Sequence, residues 1–214
     1  MKSAWVLLGC AALFCFASGC KEKAAPAPQP VATSPSPVAS GPRVELSIGR
    51  GSEDWGKIVL ELDEKHTPIT VRNFVRYVEE GYYDGTIFHR VMPEFMIQGG
   101  GQTAPGQEKT AGQHEPIANE ALKGGQNVPG TIAMAQVPGD PHSATSEFFI
   151  NVVDNRRSLD PNPPNFGYAV FGKVIAGMDV VQRIRKVETR PNPQGGENSV
   201  PVDPPVLRKA IVVK

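Results

Sequence analysis

The stretch FHRVMPEFMIQGG, at positions 88–100, places one arginine between apolar residues and follows it with Phe, Met and Gln. In a strand, successive side chains alternate, so Phe88, Arg90 and Met92 are predicted to face one side and His89 the other. An arginine in apolar surroundings needs hydrogen-bond acceptors. Those acceptors are either carbonyl groups of a bound ligand or backbone carbonyls of the protein itself. The stretch alone favours neither.

Other catalytic chemistry has no matching pattern in the sequence. The four histidines are scattered and lack the spacing of a metal site (His66, His89, His114 and His142). There is no Gly-x-Ser-x-Gly elbow, phosphate loop or dinucleotide motif. His89 is interpreted as a structural histidine whose hydrogen bonds are satisfied. We therefore predict no metal and no cofactor, and neither covalent nor metal-assisted hydrolysis.

The charge balance excludes one class of partner. The sequence is 40% hydrophobic and 21% charged, and its 22 basic residues equal its 22 acidic residues in number. A net charge of zero gives no reason to expect binding to nucleic acid.

The elements around Arg90 are predicted mainly as short strands. Alternation or apolar runs mark eight of them, at positions 43–48, 57–62, 88–92, 95–98, 131–135, 147–152, 168–174 and 206–213. A first helix is predicted with Thr67 as N-cap, Pro68 at its first position and Gly81 after its end, and a second at 178–185. Positions 99–130 are predicted to form a long surface loop. Strands without βαβ alternation predict a mainly β fold, a closed eight-stranded antiparallel barrel with two helices covering its ends.

The amino terminus is predicted to direct export. Positions 1–19 contain Lys2, an apolar run and a small-residue end, as in a signal peptide. The sequence before Cys20 is similar to the lipidation site of bacterial lipoproteins. An ordinary secretory signal, in which Cys20 is incidental, is the alternative. Positions 20–42 are predicted to be a lipidated Cys and a Pro/Ala/Ser-rich linker, which leaves 43–214 as the folded domain.

Further motifs accompany the opening stretch. They are TPITVRNF at 67–74, GTIAMA at 130–135, SEFFI at 146–150 and FGKV at 171–174. Together with FHRVMPEFMIQGG they closely resemble the cyclophilin family of peptidyl-prolyl cis-trans isomerases, over positions 43–214. The resemblance implies the family's barrel and an enzyme that rotates X-Pro bonds without a cofactor.

The resemblance also assigns roles by position. Arg90 matches the catalytic arginine, and Gln98 matches the glutamine that supports it. The other predicted substrate-binding residues surround the substrate proline or contact its peptide: Phe95, Met96, Ala135, Gln136, Glu147, Phe149, Leu159 and Tyr168.

The chemistry expected at Arg90 is electrostatic. Amide resonance imposes a barrier of about 18–20 kcal/mol on rotation of a peptide bond. A guanidinium that donates to the prolyl nitrogen stabilises the nitrogen lone pair once resonance is lost in the twisted state. Because arginine stays charged, little change in turnover is expected between about pH 6 and 8.

Three positions depart from the family pattern. Glu94 replaces a residue that is commonly Gly. Ser158 stands where relatives carry Trp or Phe, which predicts weak inhibition by cyclosporin. Glu147 stands where the family usually has Gln, and a carboxylate there could pair with Arg90 and either orient it or compete with the substrate. Lower activity than that of a Gln-bearing relative is the predicted consequence.

The sequence therefore predicts an isomerase acting on proline-containing peptides or unfolded envelope proteins. It is expected to be a monomer, anchored through a lipid on Cys20, at the periplasmic side of the outer membrane, with no nucleic acid as partner. The alternative is a proline-peptide-binding chaperone module with weak or no catalysis. A structural lipoprotein on the same fold is a third hypothesis.

Overall fold

The computed structural model describes residues 41–193 and 195–213. The predicted signal peptide at 1–19, the predicted lipidation site Cys20 and nearly all of the predicted linker lie outside the described residues. Within these ranges, no helix has both the length and the apolar character needed to cross a membrane.

The described chain is built mainly from strands. They are β1 (Arg43–Arg50), β2 (Glu53–Leu62), β3 (Thr86–Met92), β4 (Met96–Gly99), β5 (Gln102–Ala104), β6 (Gln107–Glu108), β7 (Thr131–Met134), β8 (Phe148–Asn151), β9 (Val170–Ala176), β10 (Thr189–Pro191), β11 (Asn198–Pro201) and β12 (Val206–Val213). Eight of them close a barrel in the order β1-β12-β3-β4-β8-β7-β9-β2, which confirms the predicted architecture. The pairs β5–β6 and β10–β11 form two small antiparallel sheets that the sequence did not predict.

The barrel core follows from the period-two pattern of its strands. In β1, Val44, Leu46 and Ile48 have no exposed surface, whereas the residues between them are partly exposed. Leu46 pairs with Ile58 of β2, so buried side chains meet across the ladder. Burial of such aliphatic side chains contributes about 1.5–3 kcal/mol each. Pairing begins just before the predicted domain boundary, because Leu62 N–H donates to the Pro42 carbonyl at 3.0 Å.

Residues 41–193 and 195–213 form three helices where two were predicted. They are α1 (Pro68–Glu79), α2 (Arg156–Leu159) and α3 (Met178–Arg185). The prediction missed α2 because a single turn of four residues shows no helical periodicity. Thr67 is the N-cap of α1, but its hydroxyl donates to the Asp63 carbonyl at 2.9 Å and does not cap the helix. Gly81 follows the helix with φ of +68°, as a helix end requires.

Helix α1 seals one region of the core through aromatic contacts. Phe74 is fully buried, and its ring centroid lies 5.1 Å from Tyr83, 5.6 Å from Phe148 and 5.1 Å from Phe171. The Phe74–Phe148 pair is edge-to-face, a favourable arrangement for aromatic quadrupoles. The helix is thereby fixed against strands β8 and β9.

The segment 99–130 is more ordered than the predicted surface loop. It contains the β5–β6 hairpin, and it returns Glu120 to the interior. The Glu120 carboxylate accepts bonds from the Thr70 N–H at 2.8 Å and the Thr70 hydroxyl at 2.9 Å. The long connection is therefore tied to α1, because a buried carboxylate must be hydrogen-bonded.

The glycine run at 99–101 marks a tight passage. Gly100 has φ of +86°, and a Cβ there would lie 2.9 Å from the Tyr83 ring and 3.0 Å from the Phe148 ring. Only glycine meets both conditions without strain. The run is thus a turn packed on aromatic rings.

Candidate active site

The structure brings nine of the ten predicted site residues to one cavity of about 380 Å³. Pro138, which was not predicted, completes the lining. The cavity residues are Arg90, Phe95, Met96, Gln98, Ala135, Gln136, Pro138, Phe149, Leu159 and Tyr168. The tenth predicted residue, Glu147, lies outside this cavity and lines a neighbouring one with Gln98 and Gln136.

Strand register explains how distant residues meet at the cavity. Arg90 of β3 is opposite Gln98 of β4, and Gln98 is opposite Phe149 of β8. Directly opposed residues lie about 4.5–5.5 Å apart on the same face of a sheet. One row across three strands therefore carries the cation, the amide and the aromatic wall.

A β-bulge decides which face Arg90 occupies. Between Phe88 and Arg90 the pairing with β4 shifts by one residue, so that His89 is the additional residue on β3. Phe88 and Val91 consequently pack in the barrel core, whereas Arg90 lines the cavity. The prediction that Phe88 and Arg90 face the same side was wrong, because regular alternation does not continue through a bulge.

The floor of the cavity is apolar. A second cluster, separate from the barrel core, contains Met96, Phe149 and Leu159, each with 6% exposure or less. The Phe149 and Tyr168 rings pack edge-to-face with centroids 5.6 Å apart. Such a surface suits an apolar ring such as that of proline, since aromatic side chains offer large contact areas.

Arg90 is held by a carboxylate that the sequence did not predict. Its Nε donates to Glu197 Oε1 at 2.6 Å and its Nη2 to Glu197 Oε2 at 3.2 Å. Its Nη1 donates to Gln98 Oε1 at 3.4 Å. Glu197 is 107 residues away in the chain and lies just before β11, so no local sequence pattern could have linked it to Arg90.

Glu147 does not pair with Arg90, contrary to the sequence hypothesis. Its Oε2 instead accepts a bond from Gln98 Nε2 at 2.6 Å. An ionised carboxylate only accepts, so Glu147 turns the Gln98 amide N–H₂ towards itself and the amide oxygen towards Arg90. Burial raises the pKa of Glu147, although the bond from Gln98 and the charge of Arg90 act in the opposite direction.

His89 is buried beside this network. Burial lowers the pKa of His89 to about 4, so its contact at 3.6 Å with Glu147 joins a neutral imidazole to the carboxylate and is no ion pair near neutral pH. Its Nδ1 has no hydrogen-bond partner of normal geometry among residues 41–193 and 195–213. The sequence predicted a structural histidine whose hydrogen bonds are satisfied, and in the structure its hydrogen bonds are not all satisfied.

The predicted peptide-binding pair follows β7. The Ala135 N–H donates to the Glu147 carbonyl at 2.9 Å, so that donor is already used within the protein. The Gln136 side chain is also bonded, through its Oε1 to Asn119 at 3.1 Å and its Nε2 to the Gly167 carbonyl at 3.3 Å. The Ala135 N–H and the Gln136 side chain therefore already have partners within the protein.

No group of three or more His, Cys, Asp or Glu residues that could hold a metal ion occurs in the part of the chain that the structure describes. The polar side chains that line the cavity are instead the Arg90 guanidinium, the Gln98 and Gln136 amides and the Tyr168 phenol. This arrangement can donate hydrogen bonds to a ligand held against an apolar surface.

Comparison with known proteins gives a consistent result. The chain matches the family described as "Cyclophilin type peptidyl-prolyl cis-trans isomerase/CLD" over residues 44–211. It is 49% identical over 160 residues to a peptidyl-prolyl cis-trans isomerase of Streptomyces antibioticus, covering 74% of this chain and 93% of the relative. It is 45% identical over 159 residues to peptidyl-prolyl cis-trans isomerase B of Escherichia coli, covering 73% and 94%.

A solved structure shares the fold. A cyclophilin-type isomerase of Cryptosporidium parvum, crystallised in the presence of the dipeptide Ala-Pro, has a TM-score of 0.65 and 23% sequence identity to this chain. The match covers 80% of this chain and 99% of the other.

Proposed function

Since the chain belongs to the cyclophilin family of peptidyl-prolyl cis-trans isomerases, we propose that it rotates X-Pro bonds in folding proteins of a bacterial cell envelope, with Arg90 as the catalytic group. Cyclophilin isomerases bind proline-containing peptides, and this chain has their activity. The observation that carries the assignment of Arg90 is its place in the lining of a cavity with an apolar floor, on the same cross-strand row as Gln98 and Phe149.

The reaction makes and breaks no covalent bond. The C–N bond must lose partial double-bond character, which otherwise imposes about 18–20 kcal/mol. As the bond twists, the prolyl nitrogen becomes pyramidal and its lone pair accepts a hydrogen bond. A guanidinium N–H aimed at that nitrogen binds the twisted state more strongly than either planar state, and this difference lowers the barrier.

The cavity supplies the other half of the mechanism. Met96, Phe149 and Leu159 form an apolar contact surface for the proline ring, so the ring is held while the preceding carbonyl rotates. Backbone groups after β7 hold the peptide on the other side of the bond. Arg90 keeps its charge throughout because a guanidinium does not lose its proton in the physiological range.

Substitution of Arg90 tests this function. Arg90→Ala is expected to lower kcat/KM by about 10²-fold or more, since one preorganised donor to the transition state is typically worth that factor. Arg90→Lys should recover only part, because an ammonium lacks the planar fork. Arg76→Ala is the matched control, because Arg76 on α1 forms an exposed ion pair with Glu80, the residue after the helix.

The measurement combines a proline-peptide isomerisation assay with calorimetric binding of the same peptide. Loss of turnover with retained binding supports the enzyme. Equal turnover in the wild type and Arg90→Ala contradicts the role of Arg90. Binding without turnover in the wild type favours the proline-peptide-binding chaperone.

Location and assembly belong to the same proposal. The apolar run, small residues and Cys at positions 1–20, followed by the Pro-rich segment to 42, support lipid anchoring in the outer membrane with the domain in the periplasm. We propose that the domain acts as a monomer there. Sedimentation of the purified 43–214 domain at several concentrations tests this, and a concentration-dependent dimer contradicts it.

A further inference from the structure

We propose that Glu197 is a positioning residue of the isomerase, which fixes the Arg90 guanidinium in the direction that the twisted X-Pro bond requires. This inference rests on the proposed function of Arg90. No sequence motif placed the β10–β11 hairpin at the site, and this inference makes the hairpin part of the site.

The pair has the geometry of a two-point clamp. Glu197 uses both carboxylate oxygens, and Arg90 uses its Nε and Nη2, at 2.6 and 3.2 Å. Two parallel bonds fix the plane of the guanidinium as well as its position, which one bond does not. Both side chains are half-buried, so solvent screens this pair less than an exposed one.

The clamp leaves donors for the substrate. A guanidinium has five N–H groups, and Glu197 occupies one on Nε and one on Nη2. Nη1 bonds at 3.4 Å to Gln98, which also lines the cavity. The carboxylate therefore occupies the Nε–Nη2 edge of Arg90 and leaves Nη1, beside Gln98, outside the two-point contact.

The hairpin fixes the carboxylate in turn. The Asn192 N–H donates to the Glu197 carbonyl at 2.7 Å, and Gly196, with φ of +69°, makes the turn that precedes it. Two residues after Glu197, Ser199 is fully buried. The backbone is therefore held in place on both sides of Glu197.

The charge state of the clamp is stable near neutral pH. The hydrogen bonds from Arg90 hold the pKa of Glu197 below its ordinary value, more strongly than burial raises it. Glu197 therefore stays ionised when Arg90 is charged, and the pair persists across the range in which the enzyme is assayed.

A competing role for Glu197 makes the opposite prediction. If the carboxylate withheld Arg90 from the substrate, its removal would raise activity. If it positions Arg90, its removal lets a flexible side chain sample other rotamers, and activity falls. The geometry favours positioning, because the two bonds use Nε and Nη2 and leave Nη1 beside Gln98, which lines the cavity.

The test is a double-substitution cycle on the full-length chain. Glu197→Gln and Glu197→Ala are expected to lower kcat/KM by about three- to tenfold, mostly in kcat, which is the usual cost of freeing one rotamer-rich side chain. In the Arg90→Ala background, the same Glu197 substitutions should change the residual activity by less than about twofold, because their target is gone. Glu80→Gln, at the exposed pair with Arg76, is the matched control and should leave turnover unchanged.

Nuclear magnetic resonance supplies a readout that is independent of turnover. The Arg90 Nε–H resonance should be shifted and slow to exchange in the wild type, and it should lose both properties in Glu197→Gln. Unchanged or increased kcat/KM, an equal loss in the Arg90→Ala background, or an unchanged Arg90 resonance would each overturn the inference. A wild type without turnover would contradict the proposed function instead, and the resonance would still decide whether the clamp exists.

Discussion

Arg90 interacts with two carboxylates in different ways. Glu197 contacts it through two hydrogen bonds, whereas Glu147 bonds to Gln98, orients that amide and reaches Arg90 itself only through its charge. Two hydrogen bonds fix the position and plane of the guanidinium. A negative charge that makes no contact with the guanidinium weakens the field that this cation exerts on the prolyl nitrogen. The two residues are therefore expected to have opposite effects on catalysis.

Glu147→Gln is expected to raise kcat/KM by about two- to fivefold near pH 7, since it removes a partly buried negative charge close to Arg90. The amide oxygen of the introduced glutamine can still accept the bond from Gln98. Because burial raises the pKa of Glu147 above its ordinary value of 4.5, the wild-type carboxyl takes up a proton earlier than an ordinary glutamate as the pH falls. The advantage of Glu147→Gln should then shrink towards acid pH.

The measurement is the pH profile of kcat/KM for both proteins. Between about pH 6 and 8 both profiles should be nearly flat, because a guanidinium keeps its charge in this range. A decrease or no change in kcat/KM for Glu147→Gln would contradict the prediction. A steep step with a histidine-like midpoint would contradict the assignment of catalysis to Arg90.

His89 predicts a pH dependence of stability. Its pKa in the folded protein, lowered by burial from 6.5 to about 4, means that the unfolded chain binds a proton where the folded one does not. Stability from neutral His89 is thus present above about pH 6.5 and is lost as the pH falls towards 4, by about 3 kcal/mol in all.

Urea denaturation of the wild type and His89→Gln at about pH 7 and 5 measures this effect. The free energy of unfolding of the wild type should fall more steeply than that of His89→Gln, because the variant lacks this proton uptake. All other titrating groups are shared and cancel in the difference. Parallel pH dependence of the two proteins would show that His89 is not held neutral.

At the scale of elements, the β3 bulge and helix α2 shape the site. The bulge turns Arg90 out of the core and into the cavity, and α2 brings Leu159 to the apolar floor. Neither element has a strong sequence signal, since one is a single additional residue and the other a single turn. Both form only in the context of the neighbouring parts of the folded chain.

Helix α1 provides a prediction about packing. Phe74→Ala is expected to lower the free energy of unfolding by about 3–5 kcal/mol, because it leaves a cavity among Tyr83, Phe148 and Phe171. Ile69→Ala on the same helix is the control, and should cost less than about 1 kcal/mol, because Ile69 is 40% exposed.

Chemical denaturation with fluorescence or circular dichroism measures both variants. Phe148 belongs to β8, next to the cavity wall formed by Phe149, so Phe74→Ala should also loosen the site. Equal losses in the free energy of unfolding for the two variants would contradict the role of Phe74 as the residue that fixes α1 to the core.

At the scale of the whole molecule, the described domain and the amino-terminal segment have separate tasks. The domain contains every residue proposed for catalysis, and the segment before it is proposed to determine location. Cys20→Ser is therefore expected to move the protein from the membrane fraction to the soluble fraction of the envelope, because one or two acyl chains supply the membrane affinity. The kcat/KM of the purified full-length protein should stay the same.

Cell fractionation and mass spectrometry of the mature amino terminus measure this outcome. A wild-type terminus at Cys20 with added acyl mass supports the anchor. An unmodified terminus, or a Cys20→Ser protein that stays in the membrane fraction, contradicts it.

Much of the fold is determined locally and could be predicted from the sequence. Each barrel strand carries its own alternation or apolar run, Pro68 and Gly81 bound α1, and the order of motifs indicates the family. Burial of one face per strand leaves few alternatives to a closed barrel. The cavity residues were also predicted, because FHRVMPEFMIQGG and the later motifs occur as contiguous segments.

Only the tertiary structure determines which charged side chains contact each other. Glu147, close to Arg90 in the expected arrangement, bonds to Gln98, and the carboxylate on Arg90 is Glu197, which a hairpin brings from the far end of the chain. Side-chain pairing across 107 residues depends on register, bulges and loop paths that no local pattern records. The sequence therefore identified Arg90 as the candidate catalytic group, and only the folded chain determined what holds it in place.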